Sequence, residues 1–76
     1  MSIYGVRYKS KYVKSRWWGI NSAVWTSDSK RIAIAQAYFL MEEHAEYNAE
    51  AMACEFGETG EPINCGLVVS LRKDDR

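Results

Sequence analysis

The sequence predicts an α+β domain in which a small antiparallel four-stranded sheet carries one helix on one face, in the order β-β-α-β-β. Three observations carry that expectation. Asp28 to Tyr47 has the 3.6-residue periodicity of an amphipathic helix, with no Gly or Pro inside it. Two segments before it and two after it alternate apolar and polar residues with period two. Between the last two lies Gly57-Glu58-Thr59-Gly60-Glu61-Pro62, whose glycines and proline are hairpin punctuation. With 76 residues, the chain 1–76 is a single domain that buries about 60–65% of its unfolded surface, so its stability is modest without help.

The first strand, Ile3 to Lys9, sets Tyr4, Val6 and Tyr8 against Gly5, Arg7 and Lys9, giving one apolar and one basic face. Ser10 to Arg16 is polar and basic and reads as a long hairpin loop or a twisted strand extension. Trp17 to Trp25 then forms the second strand, with Trp18, Ile20 and Val24 on one face. Pairing Tyr8 with Trp18 and Val6 with Ile20 keeps the apolar sets together and leaves Trp17 and Trp25 outside with Arg7 and Lys9. The helix follows, with Ser27 as its N-cap and Asp28 and Ser29 in its first turn. Glu50 to Phe56 is the third strand, with Met52, Cys54 and Phe56 inward. Ile63 to Leu71 is the fourth, with Ile63, Cys65, Leu67, Val69 and Leu71 inward. Pairing Phe56 with Ile63 sets Cys54 opposite Cys65 and Met52 opposite Leu67.

The helix has a second, narrower apolar stripe at Ile32 and Phe39 that one sheet cannot bury. It packs under a loop or strand edge, or makes a homodimer or partner contact. Glu42, Glu43 and Glu46 stand near the negative C-terminal end of the helix dipole, where cations are favoured.

An apolar fraction of 47%, with five Tyr, three Trp and two Phe, argues for a folded globule. The longest apolar run, Ile32 to Met41, is ten residues broken by Gln36, far short of the roughly 20 that span a bilayer, so no membrane role is expected. Met1 to Lys14 lacks the apolar segment of a signal peptide. The expected location is therefore cytoplasmic. Formal net charge is zero, yet residues 1–41 hold seven Lys or Arg against one Asp, and residues 42–71 hold seven Glu and no Lys or Arg. The two halves pair within the fold, or their polarity steers a partner.

Catalytic chemistry finds little support. Cys54 and Cys65 read as two free core thiols, since a cytoplasmic protein keeps thiols reduced, although their register makes a disulfide geometrically conceivable. With one His and no C-x-x-C, the spacing fits no zinc pattern. His44, near Ala37 and Met41 on the helix, reads as a packed structural residue. No phosphate-binding loop and no nucleophile motif is present. The expectation is a non-enzyme without metal or cofactor.

The working surface expected is the basic, aromatic N-terminal hairpin, with Arg7, Lys9, Lys11, Lys14 and Arg16 for steering and Trp17 and Trp25 as anchors, Tyr12 nearby. Trp, Tyr and Arg dominate protein-binding hot spots. Lys, Arg and exposed rings also bind single-stranded nucleic acid, and a third reading is a solvated strand face whose Lys stems cover the rings. Zero net charge and an acidic second half put a protein partner ahead of nucleic acid.

This layout, four strands with one helix opening at Thr26-Ser27-Asp28-Ser29-Lys30-Arg31-Ile32-Ala33, resembles the small phage-encoded inhibitors of bacterial machinery, including anti-CRISPR proteins. The resemblance covers element order across most of the chain and involves no sequence motif. It implies a non-catalytic inhibitor that occupies a surface of a larger protein or ribonucleoprotein complex in the host cytoplasm, and it assigns no residues.

Overall fold

The computed structural model describes residues 2–11, 14–43 and 49–73, with 67–70 and 73 described by backbone alone. The elements are β1 (Ile3–Lys9), β2 (Arg16–Trp17), β3 (Gly19–Ile20), β4 (Ala23–Val24), β5 (Thr26–Ser27), α1 (Lys30–Glu43), β6 (Ala49–Phe56) and β7 (Pro62–Lys73). One helix on an antiparallel sheet is the expected class. The strand count and order are not those expected: a five-stranded sheet runs β2-β1-β6-β7, with β5 also pairing β1, and β3 and β4 form a separate two-stranded sheet.

The difference begins in the segment read as one second strand. Arg7 pairs with Trp17 and Tyr8 with Arg16, whereas Tyr4 pairs with Ser27 and Gly5 with Thr26. The residues between leave the sheet as a hairpin, closed at its base by Trp25 N–H donating to the Trp18 carbonyl at 2.9 Å. Asn21 and Ser22 make the turn with φ of 52° and 69°, the left-handed pair that two-residue hairpins require. Gly19 is needed there, because a Cβ on it would strike the Ala23 carbonyl oxygen. The expected pairs Tyr8–Trp18 and Val6–Ile20 are therefore absent, and Ile20 and Val24 are exposed.

A second difference is which face of β6 meets the helix. Val6 and Tyr8 point inward as expected, and their partners across the ladder are Ala53 and Ala51. Directly opposed residues share a face, so Ala49, Ala51 and Ala53, all fully buried, lie under α1. Met52, Cys54 and Phe56 are on the other face, the reverse of the expectation. The large side chains suggested a core, yet the helix approaches on methyl groups: Ala33, Ala37 and Leu40 are its buried residues. The core cluster joins Val6, Tyr8, Ala37, Leu40, Ala49 and Ala51, with Trp18, Trp25, Met41 and Leu71 packed around it.

Cys54 does pair with Cys65, but Phe56 pairs with Pro62 and Met52 with Ser70. The register shifts between Met52 and Cys54, where Gly66 takes a φ of 77° of the kind that suits a bulge. That irregularity lets Leu71 face the core while Cys65 is exposed, so β7 does not keep one inward face from Ile63 to Leu71. The side chains of Leu67 and Val69 lie outside the described residues. Cys54 and Cys65 are joined by a disulfide across a separation of 11, in place of the free thiols expected. Closing a loop of that length constrains the unfolded chain by about 2.5–3 kcal/mol in the chain-entropy account. That matters here, because Leu40, Val6 and Cys54 are the largest fully buried side chains.

The helix N-cap is Ser29 rather than Ser27: Ser29 Oγ accepts from Ile32 N–H at 3.3 Å, and Ser27 Oγ accepts from Ser29 N–H at 3.0 Å one turn earlier. The described helix ends at Glu43; the extension to Tyr47, with His44 and Glu46, lies outside the described residues. No helix among the described residues is long and apolar enough to cross a membrane. At the sheet end, Ser2 Oγ donates to Glu55 Oε2 at 2.7 Å and Asn64 Nδ2 to Glu55 Oε1 at 3.1 Å. The Ser2 bond first and the Asn64 bond second hold the Glu55 carboxyl below its ordinary value of 4.5, with Lys30 adding a smaller attraction against a small opposing effect of burial.

Two measurements check these assignments. Ala51→Leu overpacks the helix contact and costs about 1–3 kcal/mol in urea unfolding; a variant as stable as the native chain would place Ala51 outside that contact. A depressed carboxyl stabilises the fold above its unfolded value and loses that contribution as pH falls through the folded value. The melting temperature of the native chain should therefore exceed that of Glu55→Gln at neutral pH. The gap should close as pH drops below 4.5, and a gap independent of pH would refute the pairing.

Candidate functional site: the open sheet face

Because α1 covers only one side of the sheet, the opposite side is built from the residues that alternate away from it. β1 contributes Gly5, Arg7 and Lys9, β2 contributes Trp17, β6 contributes Glu50, Met52, Cys54 and Phe56, and β7 contributes Cys65. Gly5 supplies the space for an aromatic ring: a Cβ there would lie 2.6 Å from Phe56 Cε2. Phe56 thus lies over bare backbone. Trp17 packs on it at 4.6 Å between ring centroids, tilted by 50°, in the range where such pairs contribute about 0.5–1.5 kcal/mol beyond burial. Arg7 Cζ stands 5.1 Å from the centroid of Trp17, a cation–π contact that continues the row.

Polar groups flank this row. Arg7 Nε is buried without a hydrogen-bond partner among the described residues, beside a groove of about 220 Å³ lined by Arg7, Lys9, Ser15, Glu50, Met52 and Cys65. Lys9 Nζ is 3.9 Å from Glu50 Oε1, an exposed pair of small worth. A second groove of about 450 Å³ is shaped by Ile3, Trp17, Val24, Phe56 and the turn at Gly57–Gly60. Ile3 and Ile63 are exposed at this end of the sheet.

Of the seven partner-binding residues expected from sequence, Arg7, Lys9 and Trp17 share this face. Lys11, Lys14 and Arg16 are exposed, but Arg16 pairs with Tyr8 and so stands on the helix side of the sheet; Tyr12 lies outside the described residues. Trp25 is placed elsewhere: it is half-buried and packs against the core cluster, because the β3–β4 hairpin turns it out of the strand alternation that would have set it beside Trp17. Ile32 and Phe39 are exposed on the helix, at 53% and 51%, so no described loop or strand edge buries them. Phe56 and Met52 were missed as surface residues; what assigns them is the ladder that sets Ala51 and Ala53 opposite Tyr8 and Val6.

The arrangement offers contact area, a guanidinium and exposed cations. Among the described residues no group of three His, Cys, Asp or Glu is gathered to hold a metal ion. No protein-family model, curated protein or solved structure matches the chain.

Proposed function

We propose that the protein is a non-catalytic protein-binding module that occupies a surface of a larger protein through its open sheet face, in the manner of small phage-encoded inhibitors. The observation that supports this reading most is the row Arg7–Trp17–Phe56 lying on the uncovered face of the sheet. Rings and an Arg already held in place lose little side-chain entropy on binding and fill the usual role of hot-spot anchors. Met52 and the exposed Ile3 and Ile63 widen the apolar area, and Lys9, exposed on the same face, supplies a cation for steering. Single-stranded nucleic acid fits less well, because Trp17, the ring best placed for a base to stack on, is engaged by Phe56 and Arg7.

The test compares affinity capture from bacterial lysate by the native chain and by Lys9→Glu and Met52→Glu, each first shown to be folded by far-UV circular dichroism. A protein retained by the native chain and lost with both variants is the expected outcome; retention by both would sink the assignment of this face. Titration with short single-stranded DNA and RNA, followed by Trp fluorescence, should give no salt-sensitive quenching. Quenching that weakens as salt rises would move the reading to nucleic acid.

A further inference from the structure

On the side of the molecule away from the open sheet face, α1 presents an apolar surface that nothing in the described chain covers. Ile32, Tyr38 and Phe39 are 53%, 50% and 51% exposed, and Ala35 between them is exposed as well. Arg31, Ile32, Ala35, Phe39 and Glu42 fall within an arc of about 100° on the helix circumference. The stripe therefore reads, from N- to C-terminus, as cation, apolar, small, apolar, anion.

Its charges stand against the helix's own dipole. The first turn of α1 holds no acidic residue and the last turn no basic one; Arg31 is near the positive end, and Glu42 and Glu43 are at the described C-terminal, negative end. Each group would be better placed at the opposite end of a helix. An antiparallel helix supplies that end. When a second copy of α1 is laid antiparallel on the first about a two-fold axis near Ala35 and Gln36, Arg31 of each copy meets Glu42 of the other. Ile32 of each copy then meets Phe39 of the other. Each cation also approaches the negative dipole end of the other helix, and each carboxylate the positive end. At the crossing Ala35 offers only a methyl group, which suits the near limit of the roughly 8–10 Å spacing of packed helices.

We propose that the protein forms a two-fold symmetric homodimer through an antiparallel pair of α1 helices, with Ile32, Ala35 and Phe39 at its centre and Arg31–Glu42 ion pairs at both ends. The interface is isologous: one stripe serves as both halves of the contact. A groove of about 340 Å³ lined by Tyr38, Met41, Glu42, Leu71 and Arg72 borders the stripe on the side toward β7. The dimer does not depend on the sheet-face reading, since it uses the other side of the molecule.

Light scattering and sedimentation equilibrium at low salt test it. The native chain should be dimeric, and Phe39→Glu and Ala35→Glu, each folded by circular dichroism, should be monomeric. Arg31→Glu alone and Glu42→Arg alone should each raise the dimer dissociation constant by about tenfold or more. An equimolar mixture of those two variants should recover a heterodimer, because both end pairs are then of opposite sign. A native chain that stays monomeric to about 1 mM, a folded Ala35→Glu that remains dimeric, or charge reversals that dimerise like the native chain would each overturn the proposal. Should Phe39→Glu fail to fold, Ala35→Glu and the mixing experiment still decide it.

Discussion

The contact between α1 and the sheet is made of methyl groups, and most of the molecule's architecture follows from it. Ala37 on the helix meets Ala49 and Ala51 on β6, with Leu40, Val6 and Tyr8 filling the remaining space, and Ala33 is buried as well. Small residues allow close approach but bury little area per side chain, so such a core contributes modestly for its size. Two consequences follow. The fold draws additional stability from the Cys54–Cys65 disulfide and from Trp18 and Trp25 packed around the core. The larger side chains of β6, Met52 and Phe56, are left for the opposite face, where they form a surface.

How much of this was legible in the sequence depended on whether the signal was local. The strand at Ile3–Lys9, the helix and the turn after Phe56 are each specified by residues next to one another; the Cys54–Cys65 pairing came from the apolar pattern of the two strands, although Phe56 pairs with Pro62 rather than Ile63. The second strand was not legible, because the pair Asn21-Ser22 is a weaker turn signal than Asn-Gly, and the apolar residues around it fit a continuous strand equally well. The bulge near Gly66 was hidden for a similar reason: one glycine in a strand pattern does not say how far the register slips. The inverted face of β6 is the more instructive miss. Alanines and large residues alternate there with the same period, so periodicity cannot choose between the faces. The ladder with Val6 and Tyr8 does choose.

That inversion also rearranged the candidate site. Arg7, Lys9 and Trp17 were legible as an outer basic and aromatic face because they belong to β1 and its immediate partner. Phe56 was not, since its place depends on Gly5 across the ladder. Trp25 was assigned to that face only by extending a strand that in fact breaks into a hairpin. With the helix stripe on one side and the Arg7–Trp17–Phe56 row on the other, a helix-mediated dimer leaves both sheet faces outward. Two such faces on one particle would bind a repeated or symmetric target with an effective concentration set by the dimer's geometry rather than by either face alone.

The account rests on which face of β6 lies beneath the helix, and proton–proton nuclear Overhauser contacts read this directly. The methyl groups of Ala51 and Ala53 should show cross-peaks to Val6, and Ala51 also to Leu40, while the Met52 methyl shows none to Ala37 or Leu40. Cross-peaks from Met52 to Ala37 or Leu40, with Ala51 silent toward both, would contradict the alanine contact and with it the open sheet face.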